Sequence, residues 1–372
     1  MIYLDNAATS FQKPSAVAQA MLSAMQRCAN PGRGGYRAAM EAAEVVYKSR
    51  ETAGEMFGCD PEQVAFTVNC THGLNIAIRT LVKPGARVVI SGFEHNAVTR
   101  PLRGLDAQMI VAGRKLFDWE NTLEEFDTAL RNGAEAAVFT HVSNVFGYIL
   151  PVEELAKLCR DRGVPFVLDA AQSAGSLRVS LKDLGADFIA MPGHKGLLGP
   201  QGTGLLLCGR LPDPLMMGGT GSESLRQTMP DYLPDRVEAG TLNVPGIAGL
   251  RAGMEYVRSL GIGRIFNREH RQLEAAAAGL KELGFRVFSG PHQAATLSFL
   301  TGADCEETAE KLSRLGIALR AGLHCAPLAH ESAGTLKTGT VRVSFGHDAG
   351  GDQTRGLLRA AAKLSSMDLQ KF

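Results

Sequence analysis

The sequence predicts an α/β fold: a large doubly wound, mostly parallel sheet, followed by a smaller α+β unit. Three observations predict it. Six short runs, at 64–68, 87–91, 136–142, 165–170, 187–191 and 203–208, are almost continuously apolar, as strands buried on both faces should be. Amphipathic stretches of helical period separate them. After about residue 250 the rhythm changes to a long polar-faced helix and several short strands.

Each element has a local cause. VAFTV at 64–68 runs into Asn69-Cys70-Thr71-His72-Gly73, a small polar segment that opens a helix, with Thr71 suited to the N-cap. RVVIS at 87–91 leads to Phe93-Glu94-His95-Asn96, and AAVFTHV at 136–142 leads to Ser143-Asn144. Helix 152–162 has Pro151 at its start and Gly163 at its end, the usual asymmetry of helix termini. PFVLDA at 165–170, DFIAM at 187–191 and TGLLLC at 203–208 complete the sheet. Beyond it come helix 263–283, short strands near 285–288, 295–300, 316–320 and 340–345, a helix at 305–315, and a last helix over about 352–366. The expected units are a large one at 15–250 and a small one at 251–372, with segment 1–14 packing near the active site. There is no internal repeat and no low-complexity segment.

Composition excludes several classes. The 372 residues are 45% hydrophobic and 21% charged, with a net charge of +1, so no basic excess points to nucleic acid or an anionic membrane. The seven cysteines form no C-x-x-C pair and suggest neither a disulfide framework nor a zinc ribbon. The start, Met1-Ile2-Tyr3-Leu4-Asp5, meets a charge too early for a signal peptide, and no apolar run reaches membrane-spanning length. A cytoplasmic protein with reduced thiols is expected.

Two segments carry the chemistry. Asp169 ends one apolar run, and Lys195, in Gly193-His194-Lys195-Gly196, follows the next, 26 residues later. Taken singly, the first reads as a helix cap and the second as a solvated loop residue. Together, at the ends of neighbouring strands, they suit pyridoxal 5'-phosphate (PLP). The lysine carries the aldehyde as a Schiff base, and the acid keeps the pyridine nitrogen protonated. The start of the helix after 64–68 favours an anion such as the coenzyme phosphate, although an ordinary cap explains it equally well. Gly202-Thr203-Gly204 is too short for a dinucleotide fingerprint, which disfavours a Rossmann dehydrogenase.

Other candidates also follow strands. His95 is placed to stack on a pyridine ring, or is a surface histidine. Asn144 and Gln172 are placed to donate to a phenolic oxygen. Arg342, in Val341-Arg342-Val343, binds a substrate carboxylate if it faces inward and is a surface residue if it faces outward. Cys325, on a loop with glycines at 322 and 334, is a mobile nucleophile or an inert thiol. A metal site from His324, Cys325 and His330 has three ligands on one loop and no carboxylate, a poor set.

These motifs resemble, over essentially the whole chain, the group II cysteine desulfurases and selenocysteine lyases of the PLP-dependent class V aminotransferase superfamily. The shared features are Tyr3-Leu4-Asp5-Asn6-Ala7-Ala8-Thr9, His141-Val142-Ser143-Asn144-Val145, Asp169-Ala170-Ala171-Gln172, Gly193-His194-Lys195, Glu238-Ala239-Gly240-Thr241 and Arg320-Ala321-Gly322-Leu323-His324-Cys325-Ala326-Pro327. The resemblance implies the type I fold of PLP enzymes. It implies that Lys195 bears the coenzyme, Asp169 pairs with the ring nitrogen, and His95 stacks on the ring. Asn144 and Gln172 would flank the phenolic oxygen. Thr71, His72 and His194 would surround the phosphate, with Thr241 added by the partner of a homodimer. Arg342 would hold the substrate carboxylate with Arg320 nearby, and Cys325 would accept sulfur. The activity implied is conversion of L-cysteine to L-alanine with a persulfide on Cys325. Sulfur would then pass to an acceptor protein, as in iron–sulfur cluster assembly. Alternatives are a selenocysteine lyase, an aminotransferase, a β-eliminating lyase or a non-catalytic PLP-binding protein. Three positions depart from the family: Pro192 replaces a phosphate-binding hydroxyl, while Tyr36 and Asn96 each replace a histidine.

Overall fold

The computed structural model describes residues 1–32 and 34–368, with side chains placed as far as 364; residues 369–372 of the expected small unit lie outside it. The chain opens with β1 (Ile2–Tyr3), α1 (Ser15–Arg27) and α2 (Arg37–Phe57). A seven-stranded sheet follows: β2 (Val64–Thr67), β3 (Arg87–Ser91), β4 (Gln108–Ala112), β5 (Ala136–Thr140), β6 (Phe166–Asp169), β7 (Phe188–Pro192) and β8 (Gly204–Cys208). Between its strands run α3 (Cys70–Leu81), α4 (Asn96–Gly104), α5 (Trp119–Arg131), α6 (Val152–Asp161) and α7 (Leu181–Leu184). Two long helices, α8 (Val244–Leu260) and α9 (Ile262–Glu282), lead to β9 (Arg286–Phe288), β10 (Thr296–Leu300), α10 (Cys305–Arg314), β11 (Ile317–Ala318), β12 (Arg320–Gly322), α11 (Pro327–Ala333), β13 (Thr340–Ser344) and α12 (Gly351–Asp368).

The large sheet has the order β2-β8-β7-β6-β5-β3-β4. β3 to β7 and β4 pair in parallel, and β8 alone is antiparallel to both of its neighbours. Residues 193–203 carry no helix, so β8 has no crossover and must turn back beside β7. β5 to β8 are buried at every position, which explains their unbroken apolar runs. One core packs the sheet against α1, α2, α5, α6 and α8; another fills the opposite face beneath α3 and α4.

Two expectations need correction. β4, an edge strand, was not expected. The turn before it places Asp106, not a glycine, in the left-handed region at φ +51°, which weakens the sequence signal for the strand's start. The single strand expected at 316–320 is two: β11 pairs with β1, and β12 pairs with β13 in a second, antiparallel sheet of order β12-β13-β10-β9. The run changes partner between Ala318 and Arg320.

The N-terminal arm joins these bodies. Leu4 is buried in the core formed by α9, α10, α12 and the second sheet. At Ser10 the chain is bonded to the loop after β7, where Ser10 N–H donates to His194 O at 3.0 Å.

Candidate active site

The parallel strands end together, and their carboxyl edge is where such sheets bind ligands. Thr71, His95, Asn144, Asp169, Gln172, His194 and Lys195 all line one cleft there, of about 530 Å³. They come from four strand ends and one helix start, brought together by topology.

Asp169 is the last residue of β6 and is 3% exposed. Ala171 N–H donates to its Oδ1 at 2.9 Å. Burial raises its pKa, opposed by that hydrogen bond and by Lys195. Burial likewise lowers the pKa of Lys195, with Asp169 opposing. Desolvation therefore outweighs the attraction between the two groups, and both are pushed toward their neutral forms. The Lys195 amine has no hydrogen-bond or ion-pair partner among the described residues. The turn that carries it is packed too closely for side chains. A Cβ on Gly175 would strike the Gly196 carbonyl, and one on Gly196 would strike the Ala174 carbonyl. Gly175 also sits at φ +100°, which disfavours any other residue. The carbonyl before Lys195, that of His194, accepts from Ser10 N–H (3.0 Å), Ser10 Oγ (3.0 Å) and Thr9 Oγ1 (3.1 Å).

The cleft's two histidines are neutral. Burial, helped by Lys195, lowers both His95 and His194 to about 4. His95 caps α4, its Nδ1 accepting from Ala97 N–H at 3.0 Å, so the ring proton is on Nε2. An uncharged ring can stack on a protonated pyridine without charge repulsion. Gln172 Nε2 donates to Ala7 O (3.0 Å) and Asn144 Nδ2 to His324 O (2.8 Å); each amide retains a second N–H.

The helix cap expected at Thr71 is Asn69 instead, whose Oδ1 accepts from His72 N–H at 2.9 Å. Thr71 is exposed at the cleft. His72 is not in the cleft wall, but its ring Nε2 is buried without a partner.

Arg342 faces inward and is 2% exposed. Its anionic partner is internal: Nη2 donates to Asp5 Oδ1 at 2.6 Å, and Nη1 to Asn144 O at 3.0 Å. Of the two orientations open in the sequence, the inward one is found, and Asp5 already supplies an anionic partner there. Arg320 stands directly opposite Arg342 in the β12–β13 register and is exposed.

Cys325 is the one exposed cysteine of the seven. Its loop is tied down rather than free. Asn96 N–H donates to Cys325 O at 2.7 Å, Asn144 holds His324 O, and both His324 (φ +51°) and Cys325 (φ +55°) sit in the left-handed region. The two bonds fix the segment beside His95 and Asn144, although the thiol itself is not in the cleft wall. His324 precedes the thiol in sequence, where a charged imidazole would favour the thiolate. Burial holds it at about 2, so it is neutral and supplies no positive charge. Nor do His324, Cys325 and His330 converge on a metal position. The two rings are buried and stacked with centroids 5.9 Å apart, while Cys325 points to solvent. Among the described residues no His, Cys, Asp and Glu cluster has metal-binding geometry.

Two predicted positions lie elsewhere. Thr241 is exposed on a separate cleft with Tyr47 and Gly219, and Tyr36 is exposed at the start of α2. Sequence reasoning missed Asp5, Cys70 and Glu94. Glu94 is fully buried, bonded to Ser91 and Thr140, and raised to about 8 by burial. It adjoins His95, and its position after an apolar strand was the only signal.

A half-buried lysine facing a buried carboxylate at the carboxyl edge of a mostly parallel sheet defines a PLP-dependent enzyme of fold type I. The chain belongs to the aminotransferase class-V family, which it matches over residues 2–353. It is 34% identical to a probable cysteine desulfurase of Pyrococcus abyssi, over 93% of this chain and 89% of that protein. It is 32% identical to another from Methanothermobacter thermautotrophicus, over 90% and 89%. Among solved structures it is similar to the apo structure of a cysteine desulfurase from Thermococcus onnurineus NA1, with a TM-score of 0.90 at 32% identity, over 98% of this chain and 95% of that one.

The residues fit the coenzyme. Asp169 Oδ2 accepts no hydrogen bond among the described residues, and the Lys195 amine is unpaired. His72 Nε2 is an orphaned buried donor at the first turn of α3. Pro192 lies in the same wall and offers neither a hydroxyl nor an N–H. Pro192→Ser is therefore expected to slow coenzyme loss on dialysis. One added charge-assisted hydrogen bond contributes about 1.5–3 kcal/mol, roughly tenfold or more in affinity. Faster loss would show that Pro192 acts by shaping the loop.

Proposed function

We propose that the protein is a PLP-dependent cysteine desulfurase, converting L-cysteine to L-alanine and taking the sulfur onto Cys325 as a persulfide. The observation that carries this reading is the pairing of Lys195 and Asp169 in one cleft with a single exposed thiol on a segment bonded to its wall.

When bound, the coenzyme supplies an electron sink for charge at the substrate Cα. The chain's residues do the rest. Asp169 holds a proton at the ring nitrogen. Arg342 binds the substrate carboxylate, and Asp5 keeps that guanidinium paired until substrate arrives. Removing Asp5 would leave a buried unpaired charge, at a cost of about 3–5 kcal/mol. Nζ of Lys195, its proton affinity lowered by burial, takes the Cα proton. Cys325 Sγ attacks the substrate sulfur. A sulfur–sulfur bond forms and the Cβ–sulfur bond breaks. Cβ gains a proton and becomes the methyl of alanine. The cysteine sulfur is oxidised as Cβ is reduced, so no external oxidant is needed.

The test is the purified protein with PLP and L-cysteine, with alanine and persulfide-plus-sulfide both measured. Equal amounts of alanine and sulfur support the reading. Pyruvate in place of alanine would mean a β-eliminating lyase.

We also read the assembly as a homodimer in which Thr241 reaches the partner's phosphate site. Thr241 is exposed, and its segment is anchored three residues earlier by Glu238, which accepts from Arg50 Nη1 (2.8 Å) and Phe66 N–H (2.6 Å). Large apolar side chains of the same β8–α8 connection are bare: Met217 is 81% exposed and Leu225 99%. Mixing Lys195→Ala with a Gly240 and Thr241 double variant should restore part of the activity after subunit exchange. A native mass showing only active monomer would rule this out. Seven unpaired cysteines fit a reducing cytoplasm, and no helix among the described residues is long and apolar enough to cross a membrane. The persulfide sulfur passes onward to an acceptor protein.

A further inference from the structure

Cys70 is the first residue of α3, directly after the Asn69 cap, and is 8% exposed. The proposed reaction makes no use of it. Its Sγ lies 3.5 Å from Asp169 Oδ1, the usual length of a thiol–carboxylate hydrogen bond. The same oxygen accepts from Ala171 N–H at 2.9 Å. Among the described residues the Asp169 carboxylate has no other hydrogen-bond partner. One oxygen is thus held by two donors from two different elements, and the other is free. Burial pushes the Cys70 thiol well above its ordinary range, with Asp169 adding to the effect. The group is therefore an S–H donor and not a thiolate, which also removes it as a rival to Cys325 for sulfur.

We propose that Cys70 is a positioning residue for Asp169: its S–H, with Ala171 N–H, fixes Oδ1 so that Oδ2 faces the ring nitrogen of the coenzyme. Ala171 alone leaves the carboxylate free to turn about its Cβ–Cγ bond. A second donor, on α3, ties its plane to the helix whose first turn lies beside the phosphate site. The ring nitrogen and the phosphate are then gripped from one rigid element. Serine keeps a donor at this position, alanine removes it, and valine removes it while restoring bulk.

The proposal rests on the PLP reading, and its test has an arm that does not. In coenzyme-free protein, the infrared difference between wild type and Cys70→Ala isolates the Cys70 S–H stretch. The band is expected below the frequency of a free thiol, and is expected to move back toward it when Asp169 is replaced by Asn. A band at the free-thiol position in wild type overturns the proposal whether or not PLP binds. In loaded protein, Cys70→Ala and Cys70→Val are expected to release the coenzyme about three- to tenfold faster on dialysis, the worth of one modest hydrogen bond. The pH midpoint of the coenzyme's visible absorption should shift in both. Cys70→Ser should stay within about twofold of wild type, since a hydroxyl still donates. Retention by valine with loss by serine would show that Cys70 acts by volume, and the proposal fails. Unchanged release and an unchanged midpoint in both the alanine and valine variants would also overturn it. Failure of wild type itself to bind PLP would sink the functional reading, while the infrared arm would still decide the hydrogen bond.

Discussion

Lys195→Ala should lose about 10⁴-fold in alanine formation from L-cysteine, the scale of a deleted general base. It should also hold no coenzyme that borohydride can fix. Both losses have one origin. Among the described residues, Nζ of Lys195 is the one amine in the cleft wall, it has no partner, and burial lowers its proton affinity. Lys195→Arg should not rescue, because a guanidinium keeps its proton and cannot act as a base. Folding should survive, since the close packing at this turn involves Gly175 and Gly196, not the lysine side chain. A rival amine stands nearby. Lys13 donates to Ser10 Oγ at 2.8 Å, and burial lowers it to about 8. Mass spectrometry of borohydride-treated wild type should place the pyridoxyl group on the peptide holding residue 195. Finding it on Lys13, or finding Lys195→Ala as active as wild type, would reject the assignment.

The parts of the site legible in the sequence are those set by local pattern. Asp169 and Lys195 stand at the ends of apolar runs, and a strand end in a parallel sheet is a site position wherever the strand lies in the order. His95, Asn144 and Gln172 were readable for the same reason. What escaped depends on distance along the chain. Asp5 and Arg342 are 337 residues apart, so an inward arginine was readable but its partner was not. Cys70 was visible as part of a helix start, yet its bond to Asp169 spans 99 residues and needs the β2–β8–β7–β6 order to bring them together. The cap at Asn69 in place of Thr71 is a smaller error, because both residue types cap helices and only the backbone geometry chooses. The neutrality of His324 is not legible in the sequence, because adjacency says nothing of burial.

Cys325→Ser separates the thiol from the cleft. The substitution changes one atom on a side chain that lies outside the cleft wall, and the backbone bond from Asn96 N–H to the residue's carbonyl is kept. The variant should stay yellow with PLP and should still change its spectrum when L-cysteine is added, because Lys195, Asp169 and Arg342 are untouched. Alanine production from L-cysteine should fall by about 10³-fold or more, as when a nucleophile is deleted from an otherwise intact site. Persulfide, read by alkylation and mass spectrometry of the peptide holding residue 325, should vanish. His324 gives the thiol no charge assistance, so His324→Gln should cost far less than Cys325→Ser. L-selenocysteine, whose selenium leaves more readily, should retain more of its rate in Cys325→Ser than L-cysteine does. If Cys325→Ser desulfurates L-cysteine at the wild-type rate, the thiol is a bystander. The site would then be that of a β-eliminating lyase, in which Lys195 and Asp169 suffice and the sulfur leaves as sulfide.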